Sequence, residues 1–468
     1  MNILLFTVDD MNQDVVAAFG GRFGPATPNL NQFAQGAYCF QHAHVAVAVC
    51  LPSRSSFITG RYPIHHGSEG FTAIHPHVPT LPEVMKDHGY FTGILGKVTH
   101  FCPPTKLGWD YQIDYEELGK GRDPQRYAEE ISSFLERRGD QPFFLIVNSH
   151  DPHRPFHGSQ QEVERFSDEQ RNSIPVPSRI IGEEEVQVPG FLPDLPEVRK
   201  EVAEYATSCR RADDSFGAAL EVLEAKGVRE ETIIIFTTDH GMPFPFAKTN
   251  CYRQSTRTPL IVDWPGVTKP NFDQEHMVSG VDLMPTVLEG LGIEMPELDQ
   301  EVLMPPTEKK RDSWRQVPSQ ATGRSFFPIL CGQSQVGRDH VFTVFHASHA
   351  WNRYEMRAIH TREWGYIYNA WSNGWKEFRN ESRSGRTFAA MQDAAKADPE
   401  IAARVELFLS RVPEELYEYA TDPDSLSNKV ADREAIDQRD CLRSMLLEWM
   451  RANGDYLDEA FEQFIQST

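Results

Sequence analysis

The sequence predicts an α/β fold, a mostly parallel sheet flanked by helices, followed by a smaller C-terminal α+β domain. Three observations carry this. Short apolar runs alternate with helical stretches. The runs are apolar throughout, as in strands buried on both faces. Each run also stops at polar or charged residues. "ILLFTV" ends at Asp9 and Asp10. "YFTGIL" is followed by Gly96, Lys97 and His100. "PFFLIV" ends at Asn148, Ser149 and His150. "TIIIFTT" ends at Asp239, His240 and Gly241. The helical stretches between them are "TPNLNQFAQGA", "TLPEVMKDHG", "PQRYAEEISSFLERRG" and "EVRKEVAEYATSCRRADDSFGAALEVLEAKG". Ligands of open α/β sheets bind at the carboxyl ends of strands. The four strand ends therefore define one candidate site.

Residues 155–196, rich in Pro and Glu, read as a long surface excursion at the rim of that site. "TGRSFFPILCGQSQVG" reads as a transition. It divides a first domain, 1–335, from a smaller second one, 336–468. The second contains the β-rich pieces "HVFTVFHA", "EMRAIHT" and "WGYIYNA", then the helical "EAIDQRDCLRSMLLEWMRANG". "RRADD", Arg210 to Asp214, reads as a charged helix face with internal ion pairs.

The formal net charge of −22 argues against extended nucleic-acid binding, because a uniformly acidic surface repels polyanions. A local pocket of cations can still take an anionic substrate. No apolar run approaches the roughly 20 residues of a membrane span. "MNILLFTVDD" shows no secretory leader, so the expected location is the cytoplasm; a leader already removed would place the protein in the periplasm or outside the cell. The seven cysteines (Cys39, Cys50, Cys102, Cys209, Cys251, Cys331, Cys441) are odd in number and dispersed. This argues against a disulfide framework and a cysteine-based zinc site.

Asp9, Asp10 and Asp239 would repel one another in a shared cleft and raise each other's pKa. A divalent cation relieves that, and carboxylate ligands suit calcium, magnesium or manganese. His240 adds a nitrogen, less typical of calcium, which keeps manganese open. The competing reading has Asp9 and Asp10 capping a helix and Asp239 starting a turn. In "CLPSRSSFITGRYP", Cys50 stands just before a helix expected to begin around Pro52 to Arg54 and to end at Gly60. A helix N-terminus stabilises negative charge. Arg54 can hold the oxygens of a nucleophile or a neighbouring carboxylate. The competing reading is an inert buried thiol. His153 and Arg154 can reach a substrate anion, or else belong to a hydrogen-bonded turn. His346, His349, Trp351 and Arg353 offer sugar stacking and anion pairing from the second domain, or else domain-interface contacts.

Cys-x-Pro-x-Arg followed by Thr-Gly, here Cys50, Pro52, Arg54, Thr59 and Gly60, resembles the signature of the type I sulfatases. "FTVDD", "GKVTH", "SHDPHRP", "TTDHG", "AKTNCY" and "LYEYATDP" follow in that family's order along nearly the whole chain. "GKVxH" with "DHG" is similar to the iduronate-2-sulfatase branch. "HDPHR" and "GMPFPFAKTNCY" are similar to the heparan N-sulfatases. His240 stands where many sulfatases carry Asn. His100 is three residues after Lys97, where a spacing of two is usual.

The resemblance implies an alkaline-phosphatase-like fold and hydrolysis of a sulfate ester, or a sulfamate, on a saccharide. It implies conversion of Cys50 to formylglycine by a separate maturation enzyme. It implies a metal, usually calcium with manganese or magnesium as alternatives, held by Asp9, Asp10, Asp239, His240 and the modified Cys50. One hydroxyl of the hydrated aldehyde would attack sulfur with Asp239 as base. Arg54, Lys97 and His100 would orient the hydrate, with His100 the base for release. His150 and Lys248 would bind sulfate oxygens and protonate the leaving group. His153, Arg154, His349 and Arg353 are the expected substrate contacts. The alternatives are a phosphonate or phosphate ester hydrolase of the same superfamily and a non-catalytic saccharide-binding homologue. Neither nucleic-acid nor membrane partners are expected.

Overall fold

A computed structural model describes the chain except residues 102, 299–302, 305–314, 317, 350 and 351. An eight-stranded sheet is built from β1 (Asn2–Val8), β2 (Tyr38–His44), β3 (Phe91–Leu95), β4 (Tyr111–Ile113), β5 (Phe143–Asn148), β6 (Thr232–Thr238), β7 (Leu260–Asp263) and β8 (Asn271–Ser279). Its order is β4-β3-β5-β1-β6-β7-β2-β8. Only β7 runs against its neighbours β6 and β2; every other pairing is parallel. The sheet is thus mixed and mostly parallel.

The four apolar runs become four adjacent central strands, β3-β5-β1-β6. Their unbroken hydrophobicity follows from burial on both faces. Leu4, Phe6 and Val8 join one core cluster with Phe216 of the Pro196–Ala225 helix. Ile3 and Leu5 join another with Phe57 and Ile58 of the Cys50–Thr59 helix. Burying each such side chain contributes about 1.5–3 kcal/mol, so a charge on either face would be costly. All four expected helices form, at Pro28–Gly36, Leu81–Asp87, Pro124–Arg137 and Pro196–Ala225.

A two-strand ribbon follows, β9 (Leu303–Met304) and β10 (Arg315–Gln316). Then comes a separate antiparallel sheet in the order β11 (His340–Ala347), β12 (Arg353–Thr361), β13 (Trp364–Asn369), β14 (Glu414–Glu418). Its Ile359, Tyr366, Tyr368 and Leu416 pack against Leu446 and Met450 of the Ile436–Ala452 helix and Phe461 of the Asp458–Ser467 helix. Val344, Phe345 and Met356 instead join the core that holds Phe6, so the smaller sheet is packed onto the larger unit.

Three expectations need correction. The helix at Cys50 begins at Cys50 itself, with Val49 extended before it; Gly60, at φ 64°, ends it. Among the described residues none of 155–196 lines the main cavity. Nor is "RRADD" simply a charged face. Arg210 and Asp214 do pair within the helix at 3.2 Å. Arg211, fully buried, reaches Asp151 at 2.6 Å. Buried Asp213 accepts the backbone N–H groups of Asn29 (2.9 Å) and Leu30 (2.8 Å) at the start of the Pro28–Gly36 helix. Among the described residues no helix is long and apolar enough to cross a membrane. The described cysteines are free thiols; Cys102 lies outside the described residues.

Candidate active site

Parallel register sets the site. Thr7 pairs with Asn148 and Val8 with Thr238 across three adjacent strands. The residues that follow, Asp9-Asp10, His150 and Asp239-His240, therefore emerge along one edge. Asp10 turns at once into a left-handed conformation, φ 63°, and its backbone N–H donates to Asp239 Oδ1 at 3.1 Å. After β3, Gly96 takes φ 70°, and a Cβ there would lie 2.4 Å from the Asn148 carbonyl oxygen. Only glycine fits this approach. The turn delivers Lys97 to the same edge.

Asp9, Asp10, Asp239 and His240 are all fully buried. Arg54, also fully buried, lies one turn into the helix from Cys50. It bridges Asp9 (2.5 Å) and Asp239 (3.2 Å) and donates through Nη1 to Thr7 Oγ1 and Asn148 Oδ1. Lys97 pairs with the other oxygen of Asp9. Lys248 Nζ lies 2.8 Å from Asp10 Oδ2. His240 Nδ1 lies 3.2 Å from Asp10 Oδ1, and its Nε2 lies 3.3 Å from the Cys50 sulfur.

The carboxylates respond differently to this surrounding. Burial opposes ionisation of Asp9, but Lys97 and Arg54 together hold it well below the usual range. Asp239 is pushed up to about 6, by burial and by the charge on Asp9. Burial also pushes the Cys50 thiol well above 9; Lys248 opposes this, while Asp239, Asp9 and Asp10 reinforce it. Its place at a helix N-terminus does not make it a thiolate, so as a thiol Cys50 is a poor nucleophile.

Asp9 Oδ2, Asp10 Oδ1 and Asp239 Oδ2 are buried and make only ion-pair contacts, with Lys97, His240 and Arg54, without a well-aligned hydrogen bond. Potential ligand atoms of Asp9, Cys50 and Asp239 lie within 4.8 Å of one another, as do those of Asp10, Cys50 and His240. Buried anionic oxygens of this kind suit a hard divalent cation, so the residues fit the expected metal.

Above this floor opens a cavity of about 830 Å³. Cys50, Lys97, His100, His150, His153, Lys248 and His349 line it. His150 stacks on Tyr115, ring centroids 5.7 Å apart, and its buried Nδ1 has no hydrogen-bond partner. Phe71 packs against both His100 and His349, at 5.7 and 4.7 Å. Burial, then the Lys97 charge, depress His100 and His150 well below 6.5. Both rings are neutral at pH 7.

Arg154 and Arg353 are not among the residues that line the cavity. Arg154 is 2% exposed, bonds Glu201 at 2.5 Å, and lies over the Phe156 ring. Arg122 and Arg211 both grip Asp151, fixing the turn that aims His150 and His153 inward and Arg154 away. Arg353 bonds Glu69 (2.9 Å) and Glu355 (2.7 Å). His346 is fully buried, 3.1 Å from the Tyr456 hydroxyl. Trp351 lies outside the described residues.

Among the cavity residues that sequence reasoning missed are Arg379, Asn380 and Glu381. They come from "KEFRNESRSG", which carries no periodicity or strand-end signal. It also missed Thr7, and the part that strand-end Asn148 plays with it as an acceptor for Arg54.

The family model described as Sulfatase matches residues 1–293. Human N-sulphoglucosamine sulphohydrolase is 29% identical over 453 residues, covering 92% of this chain and 86% of that protein. Mouse iduronate 2-sulfatase is 29% identical over 336 residues, covering 58% and 60%. The solved structure of BT4656 in complex with its substrate D-glucosamine-2-N,6-O-disulfate shares the fold at TM-score 0.67 and 18% identity, covering 97% of this chain and 98% of that one. The burial-driven α/β core, its four converging strand ends and this match over most of the chain agree: the chain belongs to the sulfatase family, enzymes that hydrolyse sulfuric esters.

Proposed function

We propose that the protein removes sulfate, as an ester or a sulfamate, from the end of a sulfated saccharide. The observation that carries this is the floor of the cavity: Cys50 is set among three buried carboxylates, with Arg54, Lys97 and Lys248 around them. A glycosaminoglycan-type substrate is favoured by the relatives, which are named for sulfated glucosamine and iduronate. A cavity of about 830 Å³ suits a chain end. The net charge of −22 disfavours a groove gripping a long polyanion.

In this reading a maturation enzyme converts Cys50 to formylglycine, and Asp9, Asp10, Asp239, His240 and the modified residue 50 hold calcium, or else manganese or magnesium. The hydrated aldehyde supplies a hydroxyl nucleophile, and the cation supplies charge neutralisation. Arg54 keeps Asp9 and Asp239 ionised side by side. Asp239, with its raised pKa, accepts a proton near neutral pH. Lys248 and His150 neutralise and hydrogen-bond the sulfate oxygens. A bound sulfate anion offsets the Lys97 charge and raises His150, which then protonates the leaving oxygen or nitrogen. His100, neutral, takes the proton that regenerates the aldehyde. His153 and His349 contact the saccharide. We also propose the domain division at 335/336, with the second unit contributing His349 and Glu381 to the cavity wall.

The test is turnover of matched aryl sulfate and aryl phosphate esters, followed by a panel of N- and O-sulfated saccharides, with the metal-loaded, aldehyde-bearing protein. Faster sulfate release is expected. Preferential cleavage of the phosphate or a phosphonate would replace this reading with the phosphoryl one.

A further inference from the structure

Lys248 is an unusual anion-binding group because two carboxylates flank it. Its ammonium lies 2.8 Å from Asp10 Oδ2 and 2.6 Å from Glu381 Oε2. Asp10 belongs to the floor, but Glu381 belongs to the second unit, well beyond the matched residues 1–293. It lines the cavity and is about a quarter exposed. His153 Nε2 stands 3.7 Å from Oε2.

An ionised carboxylate on the wall of a sulfate site is electrostatically unfavourable for the substrate. Its presence calls for a compensating role, and the backbone around it supplies one. Lys248 sits in a loop with left-handed residues on both sides, Phe246 (φ 67°) and Thr249 (φ 59°). Neither favours that conformation, so outside contacts must hold the loop. Asn380, next to Glu381, donates to Thr249 Oγ1 at 2.7 Å and to the Lys248 carbonyl at 3.3 Å. Asn380 thus holds the Lys248 backbone and Glu381 holds its ammonium.

We propose that Glu381 is a positioning residue. It fixes the Lys248 ammonium on the cavity wall at the place where a sulfate oxygen must be met. The second unit thereby controls turnover without touching the reacting atoms. This rests on Lys248 being a sulfate-binding group.

Positioning and wall charge predict opposite signs. If Glu381 only adds negative potential, removing it tightens anion binding and leaves kcat unchanged. If it positions Lys248, removing it weakens anion binding and slows turnover. The experiment compares Glu381→Ala, Glu381→Gln, Lys248→Ala and the Glu381→Ala/Lys248→Ala double variant in the full-length protein. It reads kcat, KM and competitive inhibition by inorganic sulfate. Glu381→Ala is expected to lower kcat on the order of 10²-fold and to weaken sulfate inhibition. Glu381→Gln keeps part of both, because an amide oxygen still accepts the lysine's hydrogen bond. In the Lys248→Ala background, Glu381→Ala is expected to add no further loss. Tighter sulfate inhibition with unchanged kcat, or equal losses in both backgrounds, would overturn the proposal. Direct calorimetric binding of inorganic sulfate repeats the comparison without turnover. A wild-type protein that released no sulfate from any saccharide would remove the functional reading, while the calorimetric comparison would still decide Glu381.

Discussion

The Cys50 sulfur lies 3.3 Å from Nε2 of His240, at the first residue of a helix and among three carboxylates. A helix start ordinarily favours a thiolate, yet burial and the carboxylates hold this thiol protonated. The unmodified side chain is thus predicted to be inert. Thiol-specific reagents at pH 8 should label exposed Cys331 and Cys441 and leave Cys50 unlabelled. Rapid labelling of Cys50 in the folded protein would contradict this. Cys50→Ser should lower sustained turnover by at least about 10³-fold, since a serine ester lacks the second hydroxyl needed for release.

Arg54 is expected to matter for stability as well as activity. It is the one cation that bridges Asp9 and Asp239 among the described residues. Arg54→Ala leaves Asp239 without its guanidinium partner and Asp9 with Lys97 alone, and should destabilise the protein by about 3–5 kcal/mol. Denaturant unfolding measures this. A loss under about 1 kcal/mol, the scale of an exposed pair, would mean the cluster reorganises freely.

A divalent cation should offset the same carboxylate repulsion. Calcium or manganese at a hundredfold excess over its Kd should stabilise the protein by about 2.7 kcal/mol, and chelation should reverse it. Asp10→Asn should abolish most of the shift in unfolding temperature. An equal shift in that variant would place the cation elsewhere.

For His100, the folded pKa is depressed below 6.5 by burial and by Lys97. The ring therefore stays neutral from pH 7 down through the usual histidine range and protonates only at lower pH. Loss of activity around pH 6 should therefore follow Asp239, whose pKa is pushed up to about 6, and His100 should add to it only at lower pH. Stability has the same sign. Between 6.5 and the folded pKa the unfolded chain binds the extra proton, so this group's contribution falls as pH falls. His100→Gln should flatten that stability loss and cut kcat on the order of 10²-fold. An unchanged acid limb of stability in the variant would count against a buried neutral ring.

Much of the fold was legible because its signals are local. The runs ending at Val8, Leu95, Val147 and Thr238 are apolar on both faces, and that alone identifies central parallel strands. Their termini carried most of the candidate site for the same reason. The polar strands were hidden: β2 contains Gln41 and His42 and shifts register between Phe40 and His42, and β8 is an edge strand with exposed Asn271, Gln274 and Glu275. Side-chain direction was hidden too. His153 and Arg154 are adjacent in sequence, yet the grip of Arg122 and Arg211 on Asp151 sends one into the cavity and the other to Glu201. Glu381 gave no signal because its role exists only where the second unit meets the Lys248 loop.

The central claim is that a modified Cys50 is the reaction centre of a sulfatase. Its most direct test measures sulfate released from a defined sulfated saccharide against the aldehyde content of the Cys50 peptide by mass spectrometry, across preparations matured to different extents. The account predicts that turnover rises in proportion to aldehyde content and vanishes at zero. Full activity in a preparation whose Cys50 is entirely unmodified would contradict it.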